Sequence, residues 1–164
     1  MTTNYERAFE PRPDVYAAWR ALLTAIKANM DPRRYELATF AAAQRLRSSY
    51  CSLAHGSVLQ DDFDEDVVEL AGDRASLSDV DRAVMTLAER VAGDATAITD
   101  GDRQQLRDLG LSDDEIMDVV LAATARCFFS TTLDALGVLP DASYRNLPDE
   151  LQRVLVVGRP IADR

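Results

Sequence analysis

Two side chains able to do chemistry stand four positions apart in the stretch Ser48-Ser49-Tyr50-Cys51-Ser52-Leu53-Ala54-His55. They are one of two cysteines and the only histidine in the chain. On a helix, positions i and i+4 share a face. A thiol within reach of an imidazole is the minimal set of parts for an activated sulfur nucleophile. Serine is a preferred N-cap, so a helix starting at Ser48 or Ser49 places Cys51 in its first turn, where the helix dipole favours an anion. A free cysteine with pKa near 8.5 is only ~3 % thiolate at pH 7, and a downward shift of about two units makes it roughly three-quarters thiolate for ~2.7 kcal/mol. The helix terminus supplies ~0.3–1 kcal/mol, up to ~2 when partly buried, which leaves most of the rest to protonated His55. The same residues also fit a blander reading, a buried thiol acting as a small hydrophobe beside a structural histidine.

Glu36 becomes relevant only if the chain folds back. On one unbroken helix it would lie ~22 Å from Cys51, at ~1.5 Å per residue. A break near Ser48 lets the two halves pack together and brings Glu36 to His55.

The surrounding elements read as helices. Residues 1–12 are polar, contain Pro11 and are expected to form an irregular arm, with the domain proper over 13–164. A helix opens at Pro13 with Val15, Trp19, Leu22, Leu23 and Ile26 on its apolar face and Trp19 as a core anchor. Asp31-Pro32 is a stop and restart, an N-cap acid followed by proline at the first helical position. The helix that follows carries Glu36, with Arg33 and Arg34 solvating its start. The helix holding Cys51 runs to about Gln60, and the acids from Asp61 to Asp66 are expected to begin another as a solvated face, with no metal site. Ser78 starts the next helix and Thr99 a short one. Ser112-Asp-Asp-Glu115 is a capping box that opens the longest helix, with Ile116, Val119, Val120, Ala123, Cys127 and Phe128 inward and Gly137 at its end. Cys127 is expected to be structural, with resolution of oxidised Cys51 as its alternative role. From Pro148 the chain forms a last helix or, given its β-branched run, a strand.

Composition sets bounds. A chain of 164 residues, 47 % apolar and 28 % charged, suits one helical domain with a sizeable core. The net charge of −10 argues against nonspecific binding to nucleic acid or anionic membranes. The first residues lack the apolar core of a secretory signal. Two cysteines far apart in sequence are no disulfide framework, so a reducing, cytoplasmic location is the simplest reading. The expected fold is all-α, a single-domain bundle of about seven helices.

Glu36, Ser48, Cys51 and His55 stand at the spacing E-x11-C-x2-C-x3-H, with serine at the first cysteine position. This resembles the carboxymuconolactone decarboxylase and alkylhydroperoxidase D-like superfamily, particularly its peroxidase-related branch. The stretches Leu77-Ser-Asp-Val-Asp-Arg-Ala-Val-Met, Leu109-Gly-Leu-Ser-Asp-Asp-Glu-Ile-Met and Leu136-Gly-Val are similar to that branch too, so the resemblance covers roughly residues 14–139. It implies an alkylhydroperoxidase D-like fold, assembly as a homo-oligomer, and an antioxidant peroxidase acting on hydrogen peroxide or an organic hydroperoxide, with no organic cofactor or metal. Carried over by position, Glu36 orients His55, and His55 takes the Cys51 proton. Family members that reduce hydroperoxides are similar in using two cysteines that close a disulfide. Ser48 cannot, so an external thiol reductant or Cys127 must resolve oxidised Cys51. Ser48 itself either caps the helix or donates a hydrogen bond to a thiolate or bound oxygen. Two alternatives stand beside this one. One is decarboxylase-type acid/base chemistry on a small organic acid by His55 and Glu36, with Arg45 and Arg47 as candidate carboxylate partners. The other is a non-catalytic, oligomeric redox-sensing or binding protein.

Overall fold

The structure, a computed structural model, describes residues 2–163 and contains, among them, nine α-helices and no strand. They are α1 (Asn4–Ala8), α2 (Pro13–Lys27), α3 (Pro32–Arg45), α4 (Ser49–Phe63), α5 (Val67–Ala71), α6 (Asp79–Asp94), α7 (Asp100–Asp108), α8 (Asp113–Ala135) and α9 (Asp149–Leu155). Seven have seven or more residues, and short 3-10 turns lie at Ala95–Ala97 and Ala142–Asn146. The possible strand near the end is helical.

Helix α3 is the axis of the bundle. It packs against α4, α6 and α8, and every residue from Tyr35 to Ala43 is buried. Three alanines in a row, Ala41, Ala42 and Ala43, let its neighbours approach closely. Its start is fixed as the sequence indicates: Asp31 Oδ1 accepts the Arg34 N–H at 2.8 Å and Pro32 occupies the first helical position. Arg33 and Arg34 are not solvating groups. Arg33 joins Glu65 and Asp81, and Arg34 joins Glu115 at 2.7 Å, tying α3 to three other segments.

Residues 2–12 are not an irregular arm. Thr3 and Glu6 form a reciprocal capping box that starts α1. Asn4 then binds Asp141 and the Leu139 carbonyl, while Tyr50 binds the other oxygen of Asp141. Tyr5 and Phe9 complete an aromatic wall with Tyr16, Trp19 and Phe129, in which Trp19 and Phe129 stack with centroids 3.9 Å apart. Trp19 is therefore the expected anchor, but Leu22 is 49 % exposed, because α2 turns inward along Trp19, Leu23 and Ile26.

Two other expectations shift in register. Helix α4 continues through the first acids to Phe63 and ends at Asp64 in the left-handed region, so α5 starts only after Asp66, which caps it. Helix α6 runs through Gly93 to Asp94. In α8 the inward face is Ile116, Val119, Ala123, Arg126, Phe129, Ser130 and Leu133; Phe128 is 46 % exposed and Cys127 half-buried. The helical period carries inward from Ala123 to Arg126 and not to the apolar Cys127 and Phe128. Half of the apolar stretch of α8, the one helix among the described residues with the length and composition to cross a membrane, is buried inside the bundle.

The C-terminal segment locks the α3–α4 reversal from outside. Arg47 Nε donates to the Val157 carbonyl, and the Gly158 N–H donates to Ser49 Oγ at 2.8 Å. A Cβ at Gly158 would lie 2.0 Å from the Arg47 carbonyl oxygen, a backbone atom with no freedom to swing aside. Gly158→Ala is expected to lower stability by about 1–3 kcal/mol, as overpacking does. Urea unfolding measures it, and an unchanged midpoint would mean that this segment does not seat against the turn.

Candidate active site

The reversal that the chemistry needs is built at three residues. α3 ends at Arg45 with Leu46 as its C-cap, Arg47 takes a left-handed conformation (φ 57°), and Ser48 is extended before α4 begins. The Ser48 N–H returns to the Ala43 carbonyl at 3.0 Å, closing the turn. Gln44 Nε2 then bridges Ser52 Oγ at 2.7 Å and the Val154 carbonyl, pinning α3 to α4 and α9. Folded back in this way, α3 delivers Glu36 to His55.

His55 Nδ1 and Glu36 Oε2 are 2.5 Å apart. The other carboxylate oxygen lies 3.6 Å from Lys27 Nζ, which also sits 4.5 Å above the Tyr35 ring. Burial works against the Glu36 charge, but the hydrogen bond with His55 and the nearby positive charges more than offset it, so its pKa lies below 4.5. His55 moves down from 6.5, first through burial and then through the Arg126 charge, with Glu36 opposing. For this coupled pair the consistent assignment is an ionised Glu36 and a neutral His55 near pH 7. The imidazole donates its Nδ1–H to the carboxylate and keeps Nε2 free as a base. Thr39 Oγ1 lies 3.3 Å from the same Nδ1, and Tyr35 meets the ring edge-on.

Cys51 sits one turn before His55 on α4 and is 2 % exposed. Its polar partner is Arg126, whose Nη1 is 3.4 Å from Sγ. Arg126 is buried; burial disfavours its charge, but Cys51 and Tyr35 offset this and hold it above its ordinary value. Among the described residues it forms no ion pair with a carboxylate, and its Nε has no hydrogen-bond partner. The hydrogen-bond partner of this buried guanidinium is therefore a sulfur and not a carboxylate.

The structure thus gathers Glu36, His55 and Cys51 and adds Arg126, Lys27 and Tyr35, none of which the motif marks. The cation beside the sulfur is Arg126, not protonated His55 as the sequence suggests. Arg126 was legible in one way: it is the only charged residue between Asp118 and Asp134, in a helix otherwise apolar or neutral. Ser48 occupies the N-cap position of α4 yet makes no capping hydrogen bond; its hydroxyl is buried and unpartnered. The α3–α4 turn holds it against the core, so it is not the cap that its type suggests. Arg45 and Arg47 are exposed and do not reach the site. Cys127 and Cys51 are both free thiols, and burial pushes the Cys127 thiol up.

No protein-family model and no curated protein matches this sequence. Solved structures do. The alkylhydroperoxidase AhpD core of an uncharacterized peroxidase-related protein from Ralstonia eutropha JMP134 is similar with a TM-score of 0.79 and 20 % identity, over 88 % of this chain and 80 % of that one. An uncharacterized peroxidase-related protein from Silicibacter sp. TM1040 is similar with a TM-score of 0.79 and 19 % identity, over 89 % and 80 %. The debrominase Bmp8, in complex with 2,3,4-tribromopyrrole, is similar with a TM-score of 0.71 and 15 % identity, over 88 % and 78 %. The chain has the alkylhydroperoxidase D-like fold.

His55 is the only histidine, so stability between neutral and mildly acidic pH isolates its titration. Its folded pKa lies below the unfolded value, so as the pH falls the unfolded chain binds the proton first. Its contribution is fully present above 6.5 and is lost as the pH falls from there through the folded value. Tm is expected to fall as the pH drops from about 7 to about 5.5, and His55→Asn to flatten that slope. Calorimetry across this range checks it; an unchanged slope in the variant would mean that His55 titrates normally.

Proposed function

We propose that the chain is a thiol-dependent, peroxidase-type oxidoreductase that uses Cys51 as nucleophile. The observation that carries this reading is the Cys51 sulfur hydrogen-bonded to a buried guanidinium, one helical turn from a base that a buried carboxylate orients. The similarity to peroxidase-related structures supports it.

Each residue then has a role. His55 Nε2 accepts the Cys51 proton, Glu36 holds the ring in the required tautomer, and Arg126 balances the thiolate charge. The thiolate attacks one oxygen of a small hydroperoxide. The O–O bond breaks, the sulfur becomes a sulfenic acid, and the departing oxygen takes the proton from His55 and leaves as water or an alcohol. With Ser48 where a second cysteine would close a disulfide, two molecules of an external thiol reduce the sulfenic acid, giving the thiol, a disulfide and water. Because a debrominase shares the fold, 2,3,4-tribromopyrrole belongs in the substrate set beside hydrogen peroxide and an organic hydroperoxide.

One feature favours a second reading. Arg126 is the cation that acid/base chemistry on a small carboxylated substrate needs, and it stands in the same cluster as the His55–Glu36 pair. The two readings differ in what Cys51 does.

The test is thiol-dependent peroxide consumption, with intact-mass analysis of the protein. Cys51→Ser is expected to abolish consumption, and His55→Ala to slow it by about 10²–10⁴-fold, the ordinary contribution of a positioned base. Oxygen addition confined to Cys51 supports the peroxidase reading. A Cys51→Ser variant that keeps its activity on a small carboxylated substrate, while His55→Ala and Arg126→Met lose it, would replace the peroxidase reading with the acid/base one.

A further inference from the structure

Buried polar side chains normally find partners, and the exceptions need a reason. Among the described residues, five buried side-chain polar atoms have none: Trp19 Nε1, Ser48 Oγ, Ser57 Oγ, Arg126 Nε and Ser130 Oγ. Four of the five belong to the surroundings of Cys51. Arg126 touches the sulfur through Nη1 and leaves Nε unused. Ser48 is the N-cap of α4, three residues before Cys51, and Ser130 is one turn after Arg126 on α8. Trp19 packs in the same apolar cluster as Cys51 and Phe129. Tyr50 and Cys51 on α4 pack in one cluster with Phe129 and Leu133, which bracket Ser130 on α8. Ser48 and Ser130 are fully buried and Arg126 nearly so.

These atoms share one chemistry. Each carries an N–H or O–H to donate. The carboxylates in the region are already engaged, Glu36 with His55 and Lys27 and Asp141 with Tyr50 and Asn4. Leaving several donors unmade in one place is costly. What they lack is an acceptor next to the sulfur.

We propose that Ser48, Ser130 and the Nε–H of Arg126 form an acceptor site for the oxygen that a peroxide leaves on Cys51, holding the oxidised residue as a sulfenate. The proposal rests on the peroxidase reading above and extends it to the product. When the thiolate attacks ROOH, the S–O bond forms as the O–O bond breaks. Sulfur is oxidised by two electrons, the leaving RO⁻ takes the proton held by His55 to become ROH, and the S–OH proton then passes to the freed His55 imidazole. The new sulfur-bound oxygen carries negative charge, and hydroxyl and guanidinium donors stabilise it. Ser48 thereby has a role that a second cysteine could not fill. It keeps the one-cysteine product alive until an external thiol arrives instead of closing a disulfide.

The experiment follows the sulfenate over time. Reduced protein receives one equivalent of hydrogen peroxide and is quenched at intervals into denaturant containing dimedone, so trapping does not depend on access to the buried sulfur. Intact mass then reports thiol, trapped sulfenic acid and over-oxidised sulfinic acid. Ser48→Ala and Ser130→Ala are expected to shorten the sulfenate lifetime by about five-fold or more each, the scale of one lost hydrogen bond. Ser57→Ala, which removes an unpartnered hydroxyl outside the cluster, is the control and is expected to leave the lifetime unchanged. Removing an unpartnered buried hydroxyl should not lower Tm, so the variants are expected to fold. Lifetimes within two-fold of the parent in both Ser48→Ala and Ser130→Ala would overturn the site while leaving the peroxidase reading intact. No oxygen addition to Cys51 at all would overturn both.

Discussion

The constraint on which the structure depends is an ionised carboxylate placed on a helix that is buried on every side. Helix α3 has no face for water along Tyr35–Ala43, yet it carries Glu36. A buried carboxylate stands only with charge and hydrogen bonds around it. Those come from three directions: Lys27 at the end of α2, His55 on α4, and the field of Arg126 on α8. The placement of α2, α4 and α8 around α3 is therefore an electrostatic requirement as well as a packing solution. The left-handed Arg47 and the Ser48–Ala43 hydrogen bond make the sharp reversal that this requirement demands.

Around that core the charges divide into two sets. Glu36 and His55 form a pair in which a fixed negative charge orients a neutral base. Arg126 and Cys51 form a second pair in which a fixed positive charge faces a sulfur. Keeping them apart matters physically. If His55 had to be protonated to stabilise the sulfur, it could not also accept a proton. With Arg126 supplying the charge, the imidazole stays neutral, and its downward pKa shift agrees with that division.

Much of this is visible in the sequence, and the gaps have physical causes. The Glu36, Cys51 and His55 set follows from spacing plus a break near Ser48, because a period of 3.6 and a reversal fix which residues can meet. Capping signals place α3, α6, α7 and α8 closely. The same signal, Thr3-x-x-Glu6, is present at the start of the chain, but there the polar residues and Pro11 outweigh it. Arg126 is hidden because apolar periodicity discounts a charged residue inside a hydrophobic run, so the inward face is drawn through Cys127 and Phe128. Ser48 is misread because residue type points to capping while position points to burial. Which of the two applies is decided by the turn geometry, a tertiary property.

The aromatic wall over the site has a kinetic meaning. Tyr5, Phe9, Tyr16, Trp19 and Phe129 close over the cluster that holds Cys51, and the sulfur is almost wholly screened from solvent. A reagent reaches it only through brief local openings, so the observed rate is the product of the open fraction and the intrinsic reactivity. The five rings come from α1 and the residue that ends it, from α2 and from α8, so an opening toward the sulfur has to part side chains on those helices. Bulky thiol probes therefore report how often the wall opens as well as how nucleophilic the sulfur is.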